Sequence, residues 1–188
     1  MSLHISRQQA LKLLQQHVRQ PNMLKHCLAS EAVLRRLARH FGEDEELWGL
    51  SGLLQDLDVE TTGDDLSRHT HETVRVLRDM DFPQEMVEAI RLHNEKAHPD
   101  KRRTRLHHAL AASETITGLL VATALVYPDK KLASVKVKSV RKRIKEKSFA
   151  AGANRDIIRE CELIDLPLDQ FCALALESMQ EIAPELGL

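Results

Sequence analysis

The chain has 188 residues, 43% hydrophobic and 29% charged, with 27 Lys and Arg against 28 Asp and Glu. This composition suits one packed domain and excludes wholesale disorder. The formal charge of −1 excludes a global electrostatic pull toward nucleic acid or membrane. Leu11, Leu14 and Val18 mark a first helix by their spacing. Pro21 closes the connection that follows, and Asn22 is expected to cap a second helix. That helix carries the stripe Leu24, Leu28, Ala32, Leu37 and Phe41 and ends at Gly42. A third helix is predicted over 43–56, acidic at its start as the helix dipole prefers. Residues 61–67 are polar, include Gly63, and read as a loop. Further helices are predicted near 69–80, 83–94, 104–126, 137–145, 154–163 and 168–183, with Pro83 suited to a first turn. Residues 132–140 alternate briefly but have no partner strand. The expected architecture is an all-α single domain of about eight to nine helices, with residues 1–20 forming an N-terminal helix ahead of a body spanning 21–188.

Cys27, Cys161 and Cys172 are too few and too scattered for a disulfide framework, and none forms a CxxC pair. A reducing, cytoplasmic setting fits that usage. The N-terminus lacks the apolar core of a signal peptide. The longest apolar stretch, 119–127, is far short of a membrane span. Aromatic residues make up 3% of the chain, few for a protein that stacks bases.

Histidines number 10, and several recur with acids at predicted helix ends: His26, Gln55-Asp56, Asp58, Glu60, His69, His93 and Glu114. Imidazole nitrogens and carboxylate oxygens together suit Mn, Fe, Ni, Co or Zn, with Mg where oxygens dominate. His69 and His71 are two apart and would face different ways on a helix, so His71 is read as a surface residue. His107 and His108 are expected to be solvated, and His4, His17, His40 and His98 carry no signal. Cys27 is expected to face the core.

The order of these residues resembles the HD-domain superfamily of metal-dependent phosphohydrolases, and most closely the small HDIG-type hydrolases of prokaryotes. The resemblance spans about 21–186. His26, in Leu24-Lys25-His26-Cys27, matches the first histidine of that pattern. Leu53-Leu54-Gln55-Asp56-Leu57-Asp58 stands where the family reads LLHDID. His69 and His93 match its intermediate histidines. Ala111-Ala112-Ser113-Glu114-Thr115-Ile116-Thr117-Gly118-Leu119 resembles AADxxTGL. Two signature positions depart: Gln55 replaces a histidine and Glu114 an aspartate. Gln offers only a carbonyl oxygen, a poor donor for borderline metals, and Glu is longer by one methylene.

The resemblance implies one or two divalent ions. His26, Asp56 and Glu114, with Gln55 as a weak donor, would hold one, and Asp56, His69 and His93 a second, unless the substitutions have emptied the site. It also implies a phosphoester substrate, a phosphorylated small molecule or a nucleotide. Asp56 and Arg68 would act in catalysis, with Arg68, Lys96 and Arg102 as phosphate clamps. A catalytically silent domain binding a nucleotide or a protein is the alternative, and oligomeric state is left open. Residues 130–147 carry nine Lys and Arg against Glu146 alone. They read as a solvated helix face, or as a phosphate-attracting rim or nucleic-acid contact. The low aromatic content and the acids elsewhere argue against a dedicated nucleic-acid binder.

Overall fold

A computed structural model describes residues 5–63 and 65–188; His4 and Asp64, the latter within the predicted 61–67 loop, lie outside them. The chain runs as α1 (Arg7–His17), α2 (Pro21–Phe41), α3 (Glu45–Leu53), α4 (Val59–Thr62), α5 (His71–Asp79), α6 (Gln84–His93), α7 (Arg105–Leu125), α8 (Val137–Lys145), α9 (Arg155–Ile158), α10 (Leu168–Glu181) and α11 (Ala183–Leu186). Tight 3-10 turns lie at Leu132–Ser134 and Arg159–Ile164. No strand occurs among the described residues, so the fold is all-α as expected.

Local chemistry sets most boundaries. Ser6 and Gln9 form a capping box at the start of α1, and Thr104 and His107 form one at α7. The Asp44 carboxylate accepts from the Glu46 and Leu47 amides at 2.9 and 3.0 Å and starts α3. Gly42, at φ 71°, ends α2 in the left-handed conformation that glycine adopts without penalty. Two expected helix starts differ. Asn22 lies inside α2, because Pro21 already occupies its first turn. The free amides ahead of it, Arg19 and Gln20, donate to Glu60 Oε1 at 2.7 and 2.6 Å. Pro83 stands at the cap of α6 rather than within it. The predicted 154–163 helix is split, α9 giving way to the 3-10 turn, and the first two residues of the expected loop, Thr61 and Thr62, end the short helix α4.

One buried apolar cluster runs from Ala10 to Leu186, so α1 packs into the same core as the rest. α2 and α7 are its axis. α3 crosses α2 closely at Gly52, where a Cβ would stand 2.7 Å from the Ser30 backbone; only glycine permits that approach. Buried Glu31 bridges Arg7 and Arg35 at 2.6 and 2.9 Å. α7 is long and apolar enough to cross a membrane, but 67% of its most apolar window is buried, as befits a bundle axis. α8 buries Val140 and Ile144 while Lys136, Lys138, Arg141, Lys142 and Lys145 face out.

Candidate metal centre

Three elements bring the centre together. The turn after α3 carries Gln55, Asp56 and Asp58; the segment before α5 carries His69; and α6 ends on His93. Asp56, His69 and His93 are all buried, and one donor atom from each lies within 4.8 Å of the others. Asp56 Oδ1 is 3.2 Å from His69 Nε2 and 3.5 Å from His93 Nε2. The two Nε2 atoms are 3.2 Å apart.

The far side of each ring fixes what faces inward. His69 Nδ1 donates to Asp58 Oδ1 at 2.8 Å, and His93 Nδ1 to the Ile90 carbonyl at 2.7 Å. Each neutral imidazole therefore turns an Nε2 lone pair toward the Asp56 carboxylate. Three lone-pair donors converge with no hydrogen among them, an arrangement that calls for a cation. A divalent ion fits this donor set. In its absence a proton does the same work: burial disfavours charge on His69, but Asp56 and Asp58 push its pKa up to about 10. Burial likewise opposes the Asp56 carboxylate, yet His26, His69 and His93 hold it well below the usual range.

Asp58 orients His69. Its side chain has no exposure. Oδ1 also accepts from the Thr70 amide at 3.1 Å, and Oδ2 accepts from the Glu72 and Thr73 amides at 3.1 and 3.2 Å. One carboxylate thus caps α5, holds Thr70 at φ 86° and sets the His69 tautomer, the supporting role that carboxylates serve behind metal-bound histidines. Burial opposes its charge, and His69 with these amides lowers its pKa. Sequence reasoning placed Asp58 among the recurring acids without a role. Asn94 also went unnoticed; its amide donates to the Leu66 and His69 carbonyls at 2.6 and 3.1 Å.

His26 stands beside this trio, linked differently. Thr117 Oγ1 donates to the Glu114 carbonyl at 2.7 Å, leaving its oxygen to accept from His26 Nδ1 at 3.0 Å. His26 Nε2 faces Gln55 Nε2 at 3.1 Å, Asp56 Oδ2 at 3.3 Å and Glu114 Oε2 at 3.9 Å. The fully buried Gln55 places its amide nitrogen among three acceptors, His26 Nε2, Ser30 Oγ at 3.4 Å and Asp56 Oδ2 at 3.5 Å. In this arrangement its Oε1 is buried without a partner. Gln55 thus faces His26 through its amide nitrogen. Burial raises the Glu114 pKa against the pull of His93 and His26, and Glu114 bonds Thr115 Oγ1.

A cavity of about 630 Å³ opens in front of the cluster. Lys96 lines it; Arg68 does not, and is exposed. The structure corrects the expectation for Arg102. Its guanidinium bonds Glu160 at 2.6 and 2.8 Å and Glu95 at 3.2 Å, and donates to the Leu92 and His93 carbonyls at 2.8 and 3.3 Å. It ties down the end of α6 beneath His93 and has no free face for phosphate. His107 and His108 are also corrected. His107 is buried, accepting from the Arg103 and Thr104 amides through Nδ1 at 3.2 and 3.4 Å. His108 pairs with Glu160 at 2.7 Å. His71 is exposed and Cys27 buried, as expected.

The far wall comes from residues 150–157. Arg155 shapes it by donating to five carbonyls, those of Arg143, Glu146, Phe149, Ala150 and Ala153. The Arg143 guanidinium lies 4.4 Å above the Phe149 ring.

A buried Asp/His/His cluster in a helical bundle, flanked by a further histidine, defines a candidate metallohydrolase centre. The family model for the HD domain matches residues 23–125, more than half of the chain, and the protein belongs to the HD-domain family of metal-dependent phosphohydrolases. No curated protein and no solved structure matches it.

Proposed function

We propose that the protein is a metal-dependent phosphohydrolase acting on a phosphoester, with one divalent ion held by Asp56, His69 and His93. The convergence of three lone-pair donors at 3.2–3.5 Å carries this reading. The ion would supply an activated water and positive charge at the reacting phosphate. Asp56 keeps its charge to face that ion, and Asp58 holds the His69 ring in the binding tautomer. Lys96 is placed at the cavity to meet phosphate oxygens. Glu114, its carboxyl raised by burial, can hold a proton near the leaving oxygen. Gln55 packs its amide against His26 Nε2 at 3.1 Å, a contact that supports one ion over two. Three unpaired, buried cysteines fit a reducing cytoplasmic setting.

Elemental analysis of protein purified without chelator, followed by a phosphatase and phosphodiesterase screen with the metal found, tests this reading. About one equivalent of metal and turnover abolished by His69→Ala support it; no metal uptake from Mn, Fe, Co, Ni, Zn or Mg would sink it. The Gln55 contact to His26 also favours a second reading, a silent domain that binds a phosphorylated ligand. Metal uptake and ligand binding without turnover would select that one.

A further inference from the structure

The cavity lining does not resemble a polyphosphate or nucleotide site. Its carboxylates are Asp56, Glu95 and Glu114, and Lys96 is its only Lys or Arg among the described lining residues. Arg102, the other cation nearby, is bound to Glu160 and Glu95. A divalent ion and one ammonium, less the Asp56 carboxylate, balance the two charges of a phosphomonoester; a triphosphate would leave excess negative charge facing Glu114. Among the described residues, no Phe, Tyr or Trp lines the cavity as a stacking platform for a base. Apart from the histidines, Asn94, Thr115 and Asn154, the remaining wall is small and aliphatic: Val59, Leu66, Gly118, Ala151, Gly152 and Ile157 among them.

Gly118 is the most informative of these. It lies in the interior of α7, where glycine destabilises a helix relative to alanine. Its backbone does not need glycine, since its φ is not among the positive ones. Packing does not need it either: a Cβ there would meet nothing within 4 Å. What the missing side chain leaves is open cavity. Gly152 on the facing wall also has nothing within 4 Å of a built Cβ.

We propose that the cavity takes an aliphatic phosphomonoester, with phosphate at the metal centre and Lys96 and the carbon chain between Gly118 and the 150–157 wall. This rests on the phosphohydrolase reading and specifies its substrate class. Gly118 is a specificity-determining residue that keeps room for the chain.

The test measures binding and turnover separately on metal-loaded protein. Calorimetry with non-hydrolysable alkyl phosphonates from methyl to hexyl should show affinity rising about three- to fourfold per added methylene, with ATP and AMP binding more weakly than the hexyl compound. kcat/KM for the matching alkyl phosphates should rise in parallel. Gly118→Leu should abolish the chain-length dependence and leave methyl phosphonate affinity within about twofold; Ala151→Leu on the facing wall provides a second variant. Gly118→Ala should raise Tm by about 2–4 °C. Lys96→Ala should weaken the whole series equally and keep its slope. A flat series, or tighter binding of nucleotides, overturns the substrate class while turnover would keep the hydrolase reading. A rising series without turnover keeps the class and overturns hydrolysis. Neither binding nor turnover overturns both.

Discussion

Asp58→Asn tests the coupling between stability and the metal centre, because the amide fits neither way round. With Oδ1 toward His69 Nδ1 and the Thr70 amide, the new NH2 faces the Glu72 and Thr73 amides, now 3.1 and 3.2 Å from Oδ2. Two charge-assisted hydrogen bonds are lost and donors meet donors. At about 1.5–3 kcal/mol for each such bond, the cost is about 3–6 kcal/mol, and at about 2–4 °C per kcal/mol Tm falls by about 6–24 °C. With the amide turned over, NH2 faces His69 Nδ1, now 2.8 Å from Asp58 Oδ1. The ring must then carry its proton on Nε2, aimed into the donor cluster, and metal affinity falls by about 10–100-fold or more. Calorimetric unfolding of metal-free protein and isothermal titration with Mn or Zn read the two costs separately. A variant within about 1 °C of the parent in Tm and with undiminished metal affinity would refute the assignment of Asp58 as cap and orienting group. The Asp58 carboxyl is lowered in the fold, so its contribution is present above about pH 4, the ordinary unfolded value, and is lost as pH falls below it. Acid unfolding of Asp58→Asn should accordingly be less steep.

His69, raised to about 10 in metal-free protein, contributes stability fully present below about pH 6.5 and lost as pH climbs to about 10. Tm of the metal-free protein should decline over that range, and the decline should flatten in His69→Gln. Metal uptake should release close to one proton at pH 7.5, seen as a buffer-dependent binding enthalpy; equal enthalpies in phosphate-free buffers of different ionisation heat would refute it. Gln55→His should raise metal content from about one to about two equivalents by elemental mass spectrometry; unchanged stoichiometry would show that Gln55 is not what closes the His26 side. Arg155→Ala removes donors from five carbonyls and should cost about 2–4 kcal/mol. Hydrogen exchange should accelerate across 146–154 while α6 stays protected, and a uniform change along the chain would contradict the local role of Arg155.

Much of this was legible from residue order. Apolar spacing located the helices, and the residue pattern drew together Asp56, His69 and His93, which the fold brings within reach of one another. Gln55 was recognised as the departure, but its role depends on which end of the amide meets His26, a contact made across to a different helix. Arg102 follows His93 closely in sequence and reads as a clamp, yet its counter-charge, Glu160, is 58 residues away. His107 and His108 begin a helix with a polar neighbourhood, and nothing local signals that one is a cap and the other a half-buried partner of Glu160. Spacing along a chain identifies which side chains share a face; it does not disclose what a distant segment lays over that face.

The wall that Arg155 shapes gives the molecule a division of labour along its length. Every candidate metal donor falls between residues 26 and 114, within the stretch that defines the family, whereas one side of the cavity and the counter-charge for Arg102 come from 150–160. A fragment ending at Leu125 would retain each donor yet lose both the enclosure and the tether beneath His93. The same separation lets ligand choice be rewritten by exchanging the 146–157 segment, with Arg155 kept as its anchor and no substitution at the ion itself.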